Sequence, residues 1–191
     1  MKTPCMIIFV STMLLVNEAT IYLPVDWRAQ LLNLHNEARG KILRCQVPGQ
    51  ASARRMPLLQ WHTGLETKAQ QLANRCLVGH DTPMQRKIPS FRTVGQNWAG
   101  GWDLNSAFNS WFNEYAGYDF RTGRCLRGVC GHYTQLVWAD TTHVGCGIRD
   151  CSRTGTFPYG FSIVCNYGPS GNVLGELPYD AGTQQNCYAA G

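Results

Sequence analysis

The stretch His143-Val-Gly-Cys-Gly-Ile-Arg-Asp-Cys-Ser-Arg-Thr-Gly-Thr-Phe-Pro-Tyr-Gly-Phe-Ser-Ile-Val-Cys165 decides the fold. Val144, Cys146 and Ile148 recur at every second position, and so do Phe157, Tyr159, Phe161, Ile163 and Cys165. That period belongs to strands with one apolar face. Arg153, Thr154 and Gly155 lie between the runs, as a hairpin turn requires. Upstream the period is helical. Trp27, Leu31, Leu34 and Ala38 follow Pro24 and Asp26, which can start and cap a helix. A second helix is expected from Thr63, because Thr63 and Glu66 have capping-box spacing, with Leu65, Ala69, Leu72, Ala73 and Cys76 on one stripe. Asp103 then caps a third, with Leu104, Ala107, Phe108, Trp111, Phe112 and Tyr115 as its apolar side. Residues 46 to 57 and 81 to 95 read as loops, and 168 to 191 as an irregular tail rich in Gly and Pro. Helices first and strands afterwards point to an antiparallel sheet covered by helices on both faces.

Of the 191 residues, 44% are hydrophobic, 11% aromatic and 15% charged, which gives one domain ample core material and excludes a disordered chain. Nine cysteines are present, Cys5 in the opening apolar segment and the other eight beyond it. An even set of that size suggests four disulfides and an oxidising compartment. Behind Lys2, the run from Met6 to Val16 is apolar but too short to span a bilayer. Residues 1–19 therefore read as a signal peptide ending at Ala19, and the protein is expected to be secreted and extracellular. No Asn-x-Ser/Thr sequon occurs. A net charge of +5 permits contact with anionic surfaces without marking a nucleic-acid binder. Arg121, Arg124 and Arg127 around Cys125, and Arg54 with Arg55, are candidates for meeting phospholipid headgroups or sulfated sugars.

Strand parity constrains the sulfurs. Cys146 and Cys151 are five residues apart and face opposite sides of a continuous strand, so Cys146 can pair with Cys165 while Cys151 points toward a helix. Eight cysteines still allow 105 connectivities.

Several catalytic signatures are missing: HExxH, CxxC, the P-loop and the glycine-flanked nucleophile elbow, since Gly160-Phe-Ser-Ile-Val164 lacks the final glycine. What remains is a scatter of polar groups: His80, Gln96, Asn97, Glu114 on the third helix, and His132. His35, His62 and His143 belong to no motif and are expected in surface or structural roles.

Gly131-His-Tyr-Thr-Gln-Leu-Val-Trp138 with Val144-Gly-Cys146, and Cys165-Asn-Tyr-Gly-Pro-Ser-Gly-Asn172, resemble the two signatures of the CAP superfamily. Trp61, Gly95-Gln-Asn97 and Trp111-Phe-Asn-Glu114 fall in the family order. The resemblance covers residues 27–178, leaving 179–191 as a C-terminal extension, and is greatest to secreted venom-allergen-like proteins of parasitic worms. It implies an α+β fold, a three-layer α-β-α sandwich around a central antiparallel sheet, stapled by disulfides. It also implies the pairs Cys76–Cys151 and Cys146–Cys165, and Cys125–Cys130 as in plant members; Cys45–Cys187 follows by elimination and would tie the extension to the first helix.

The family cleft gathers two histidines and two glutamates. Carried over, these are His80, His132 and Glu114, while the family's Gly-Glu-Asn stands here as Gly95-Gln96-Asn97. No cofactor is required; the resemblance implies a Zn²⁺ or Mg²⁺ site at His80 and His132, weakened because Gln96 lacks the charge of a carboxylate. A hydrogen-bonded network bracing the cleft is the alternative.

The family further implies lipid ligands at two places. One is an acyl channel between two helices, here bearing Leu31, Leu32 and Leu34 on the first and Phe108, Trp111 and Phe112 on the third. The other is a sterol site under the loop Tyr118-Asp-Phe120-Arg-Thr-Gly-Arg-Cys-Leu126, where Cys125 takes the place of the third aromatic. The expected function is a non-enzymatic carrier or scavenger of fatty acids, sterols or other lipids, or an effector toward host proteins. The competing classes are a metal-dependent hydrolase or protease using His80, Glu114 and His132, and a protein-interaction module without lipid.

Overall fold

The computed structural model describes residues 23–183. The signal segment and Cys187 lie outside the described residues. In chain order come α1 (Trp27–Leu43), β1 (Gln60–Trp61), α2 (Thr63–Ala73), α3 (Pro83–Arg86), β2 (Gly95–Gly101) and α4 (Leu104–Phe112). A 3₁₀ turn (Asn113–Gly117), β3 (Tyr118–Asp119), β4 (Arg124–Cys125), α5 (Gly131–Leu136), β5 (His143–Asp150) and β6 (Phe161–Gly168) follow. Four strands form the main sheet in the order β1-β5-β6-β2, and β3 with β4 makes a separate small hairpin.

The hairpin of β5 and β6 forms as its period requires, with Cys146 opposite Cys165 and Asp150 opposite Phe161. Its second strand begins at Phe161 rather than Phe157, because Phe157 and Tyr159 leave the ladder to pack on Trp98, ring centroids 6.3 and 6.2 Å away. The sheet is antiparallel except at one edge, where β1 runs parallel to β5 over Gln60–His143 and Trp61–Val144. On one face lies α2 with α3; α1, α4 and α5 cover the other, completing the α-β-α sandwich.

The two faces of β5 explain this. Val144, Cys146 and Ile148 join the large core under α1 and α4 with Leu31, Phe108, Trp111, Tyr133, Ile163 and Tyr167. Gly145 and Gly147 point the other way: a Cβ at Gly145 would collide with the backbone of His62 and Glu66, and one at Gly147 with that of Gln70. α2 thus rests backbone to backbone on the strand. Gln70 secures it, its Oε1 accepting from Ile148 N at 3.1 Å and its Nε2 donating to Ile148 O at 2.8 Å.

Helix starts follow the sequence with two changes of mechanism. Asp103 caps α4 through Ser106 N at 2.8 Å. Asp26 occupies the N-cap of α1 without a side-chain cap hydrogen bond. α2 does begin at Thr63, but no capping box forms there: His62 is the N-cap, its Nδ1 accepting from Gly64 N at 3.1 Å and Leu65 N at 3.3 Å. Glu66 turns instead to the Trp61 indole (2.8 Å) and Arg28 (2.6 Å). The capping box sits at Thr82 and Gln85, starting α3 inside a stretch read as loop.

The described disulfides are Cys76–Cys151, Cys125–Cys130 and Cys146–Cys165, as the family resemblance implies. Cys45 is also disulfide-bonded. Within the extension, Tyr179 is buried and donates to Ala51 O at 2.9 Å, so the core reaches past residue 178.

Buried Arg39 ties α1 to the turn after α5. Its guanidinium donates to the carbonyls of Pro57, Leu136, Trp138, Ala139 and Thr141 at 2.7 to 3.4 Å. Buried His35 donates from Nδ1 to Leu31 O (2.6 Å) and accepts at Nε2 from the Tyr167 hydroxyl (2.9 Å). Burial holds its pKa at about 4, so the imidazole is neutral, with Arg39 adding to the lowering.

Candidate functional site

Four elements meet at the β2 edge of the sheet. His80 follows α2, Gln96 stands on β2, Glu114 lies in the 3₁₀ turn after α4 rather than on the helix itself, and His132 opens α5. The structure brings these four residues together. Glu114 Oε1 lies 2.6 Å from His132 Nδ1, while its Oε2 accepts the backbone N–H groups of His132 (2.9 Å) and Tyr133 (3.2 Å). The carboxylate thereby joins the 3₁₀ turn to the start of α5. His80 Nδ1 lies 2.9 Å from Gln96 Oε1. The two imidazoles stack with centroids 6.2 Å apart, and Trp111 stacks behind His132 at the same spacing.

The orientation of Gln96 follows from its neighbours. Its Nε2 donates to Asp81 Oδ1 (3.1 Å) and Asn166 Oδ1 (2.9 Å), and Asn166 in turn donates to Leu65 O (3.3 Å). The amide oxygen therefore faces His80 and accepts from its Nδ1–H. Arg86 closes the far side, pairing with Asp81 at 2.6 Å and donating to Val94 O at 3.1 Å. The carboxylate lost at position 96 thus has a counterpart one bond further out, at Asp81. Sequence reading missed Asp81, Arg86 and Asn166; the Thr82–Gln85 spacing, which anchors α3, was the available signal.

For a metal, this donor set offers two imidazoles whose Nδ1 atoms are both occupied, leaving the Nε2 atoms to coordinate. Among the described residues no group of three or more His, Cys, Asp and Glu converges as ligands. Two nitrogens fit an open, low-affinity site and not a closed structural one. For hydrolysis, Glu114 is poorly disposed as a base, since three N–H donors already occupy its oxygens.

The lipid candidates divide. Leu31, Phe108, Trp111 and Phe112 are buried in the main core. Leu34 is half-buried in the row with Gln30 and Lys41, and that row meets α4: Gln30 donates to Asn105 Oδ1 at 3.0 Å, and the Lys41 ammonium lies 5.4 Å from the Phe112 centroid. Leu32 stands on the opposite edge with Arg28 and Asn36, which reach Glu66 and Leu59 O, so it does not line the α1–α4 seam. In the loop expected to hold sterol, Tyr118 packs on Tyr133 (5.9 Å) and Phe120 stacks on Tyr179 (4.6 Å). Both aromatics point inward, and only Leu126 of that trio is exposed.

The model of the CAP (cysteine-rich secretory protein) family matches residues 32–167. GLIPR1-like protein 1 of Homo sapiens is 37% identical over 79% of this chain and 62% of its own length. Pathogenesis-related protein 1 of Arabidopsis thaliana is 36% identical over 81% of this chain and 83% of that one. The chain spans about three fifths of the GLIPR1-type relatives it matches. Schistosoma mansoni venom allergen-like protein 4 superimposes with a TM-score of 0.76 at 33% identity, covering 86% of this chain and all of that one. NaASP2, solved with Zn²⁺, follows at 0.67 and 26%, covering 84% and 88%.

The chain belongs to the CAP, cysteine-rich secretory protein, family. Its described disulfides fit an extracellular protein. No helix among the described residues is long and apolar enough to cross a membrane.

Proposed function

We propose that this protein is a secreted, non-enzymatic lipid carrier whose primary ligand is a fatty acid. The observation that carries the reading is the α1–α4 seam. Half-buried Leu34 packs on the core at its rim, one exposed Gln30–Asn105 hydrogen bond bridges the helices, and Lys41 stands over the buried Phe112 ring, where a carboxylate headgroup would be neutralised. Each methylene withdrawn from water contributes roughly 0.8 kcal/mol, so a long tail can offset parting the two helices. Sterol is the weaker ligand, since Tyr118 and Phe120 are engaged in the core. The involvement of Glu114 with three N–H groups argues against that carboxylate as the base of a hydrolase. Lipid extraction and mass spectrometry of the purified protein, with palmitate titration, tests the proposal. Saturable uptake that Leu34→Trp abolishes and Lys41→Glu weakens is expected; no co-purified lipid and no saturable uptake would end it.

The stacked His80 and His132 favour a second, compatible reading, weak divalent-metal binding. Their Nε2 atoms would hold Zn²⁺, a Lewis acid when bound, with Glu114 and Gln96 orienting the rings. That NaASP2 was solved with Zn²⁺ supports it. Calorimetry should show Gln96→Glu binding Zn²⁺ about 10-fold more tightly or better; equal affinities would argue for a bracing network alone.

A further inference from the structure

The loop that fails to offer its aromatics to a ligand presents a different surface. Residues 118–130 form one unit, the β3–β4 hairpin continued by a loop that Cys125–Cys130 closes, and the Phe120–Tyr179 stack holds it to the body. The segment 172–179 runs beside it. Asn172 donates to Gly131 O at 2.8 Å and accepts from Thr134 Oγ1 at 2.7 Å, and the Leu177 side chain packs against Gly123. Within that segment Glu176 N donates to Val173 O at 3.1 Å, a β-turn with Gly175 at φ +83°, which lifts Leu174 to its tip.

Between them these two pieces of chain expose five aliphatic side chains. Leu126 is 69% and Val129 61% exposed on the hairpin; Leu174 is fully exposed, with Val173 and Leu177 beside it. Arg121, Arg124 and Arg127 are all exposed on the same hairpin. Asp119, the acid of that hairpin, is turned to its own loop, accepting from Arg121 N (3.0 Å) and Thr122 Oγ1 (2.7 Å), and Glu176 lies in the neighbouring turn. The local balance is cationic. Convex aliphatic tips beside arginines, without an exposed aromatic anchor among them, differ from a protein-interface hot spot, where Leu and Val are scarce and Trp, Tyr and Arg dominate. They suit a bilayer surface, where aliphatic tips enter the headgroup region and cations meet anionic lipid.

We propose that this paired hairpin and turn is a docking surface for anionic lipid membranes. It does not depend on the acyl seam between α1 and α4, which lies on other residues. The two cinched loops carry the apolar tips as a preformed unit, so docking orders little additional chain. Attraction by the arginines is long-range and screened by salt, whereas insertion of the leucines is not.

Sedimentation of the purified full chain with phosphatidylcholine vesicles, with and without phosphatidylserine, tests the proposal at low and high salt. Binding to the serine-containing vesicles alone is expected, weakening with salt. The double variant Arg121→Glu/Arg124→Glu should lose about tenfold or more in partitioning, and Leu126→Ser/Leu174→Ser about tenfold. Unchanged circular dichroism and melting temperature would show that both variants are folded, as their exposure leads us to expect. No binding to anionic vesicles at low salt overturns the proposal, as does binding that neither variant reduces. Loss with the arginine variant but not the leucine variant also overturns it, because the surface then reads charge alone, as a soluble sulfated polysaccharide would supply. A seam variant, Leu34→Trp, should still dock, so failure of docking and failure of lipid carriage are separable.

Discussion

The two faces of the sheet are held by opposite means. Under α1, α4 and α5 the contact is bulk: Trp111, Tyr133, Tyr167, Leu31 and Leu136 interlock, with Arg39 and His35 satisfied inside. Under α2 the contact is closeness: Gly145 and Gly147 remove side chains altogether, and α2 comes down on the backbone of β5. A bulky face can yield by shifting rotamers, whereas a backbone contact cannot, so the glycine face is the less tolerant of added volume. The face with fewer atoms is the more exacting one.

Four substitutions or conditions press on this contrast. The largest effect is expected from Gly147→Val, which places a branched side chain into the backbone of Gln70. Destabilisation should exceed about 4 kcal/mol by chemical denaturation, and a mild loss would mean that α2 can slide. Next, Cys76→Ala with Cys151→Ala removes the covalent tie between the end of α2 and the end of β5 across 75 residues. About 4 kcal/mol should be lost, and α2 should become the first element to exchange its amide protons.

On the bulky face the test is pH. His35 holds its proton only below about 4 in the folded chain, against 6.5 when exposed. Between those values the unfolded chain binds more protons, so the stability present above pH 6.5 falls as pH is lowered towards 4. The decline should approach about 3 kcal/mol from this group, and His35→Phe should flatten it; an unchanged slope would assign the acid sensitivity elsewhere. The smallest effect is His62→Ala, which removes the acceptor at the start of α2 and should cost about 1 kcal/mol. A loss several times larger would show that the His62 ring packs α2 as well as capping it.

Much of this was legible beforehand. Period two in Val144-x-Cys146-x-Ile148 and in Phe161-x-Ile163-x-Cys165 specified both strands, and parity allowed Cys146 to pair with Cys165 and pointed Cys151 toward a helix, while the family resemblance supplied the pairs. The cleft residues His80, Gln96, Glu114 and His132 were found by motif order and do meet. Less visible was Asp81, which reaches the cleft only through Gln96 and through its pairing with Arg86. The acyl channel implied by the family resemblance named Leu31, Leu32 and Leu34 together, yet a turn of 100° per residue sends Leu31 to the core, Leu34 to α4 and Leu32 away from both. Tyr118 and Phe120 have the spacing of a ligand loop, and Tyr133 and Tyr179, distant in sequence, draw them inward.

Periodicity, turn residues and cysteine parity are properties of neighbours along the chain, so the sequence alone determined three of the helices, the β5–β6 hairpin and a constraint on how Cys146, Cys151 and Cys165 can pair. Which edge of a helix meets another helix, whether a glycine faces solvent or a backbone, and whether an aromatic ring turns to a ligand or a core depend on residues far away in sequence. Those were decided by the tertiary structure, because packing selects among faces that local spacing leaves equivalent.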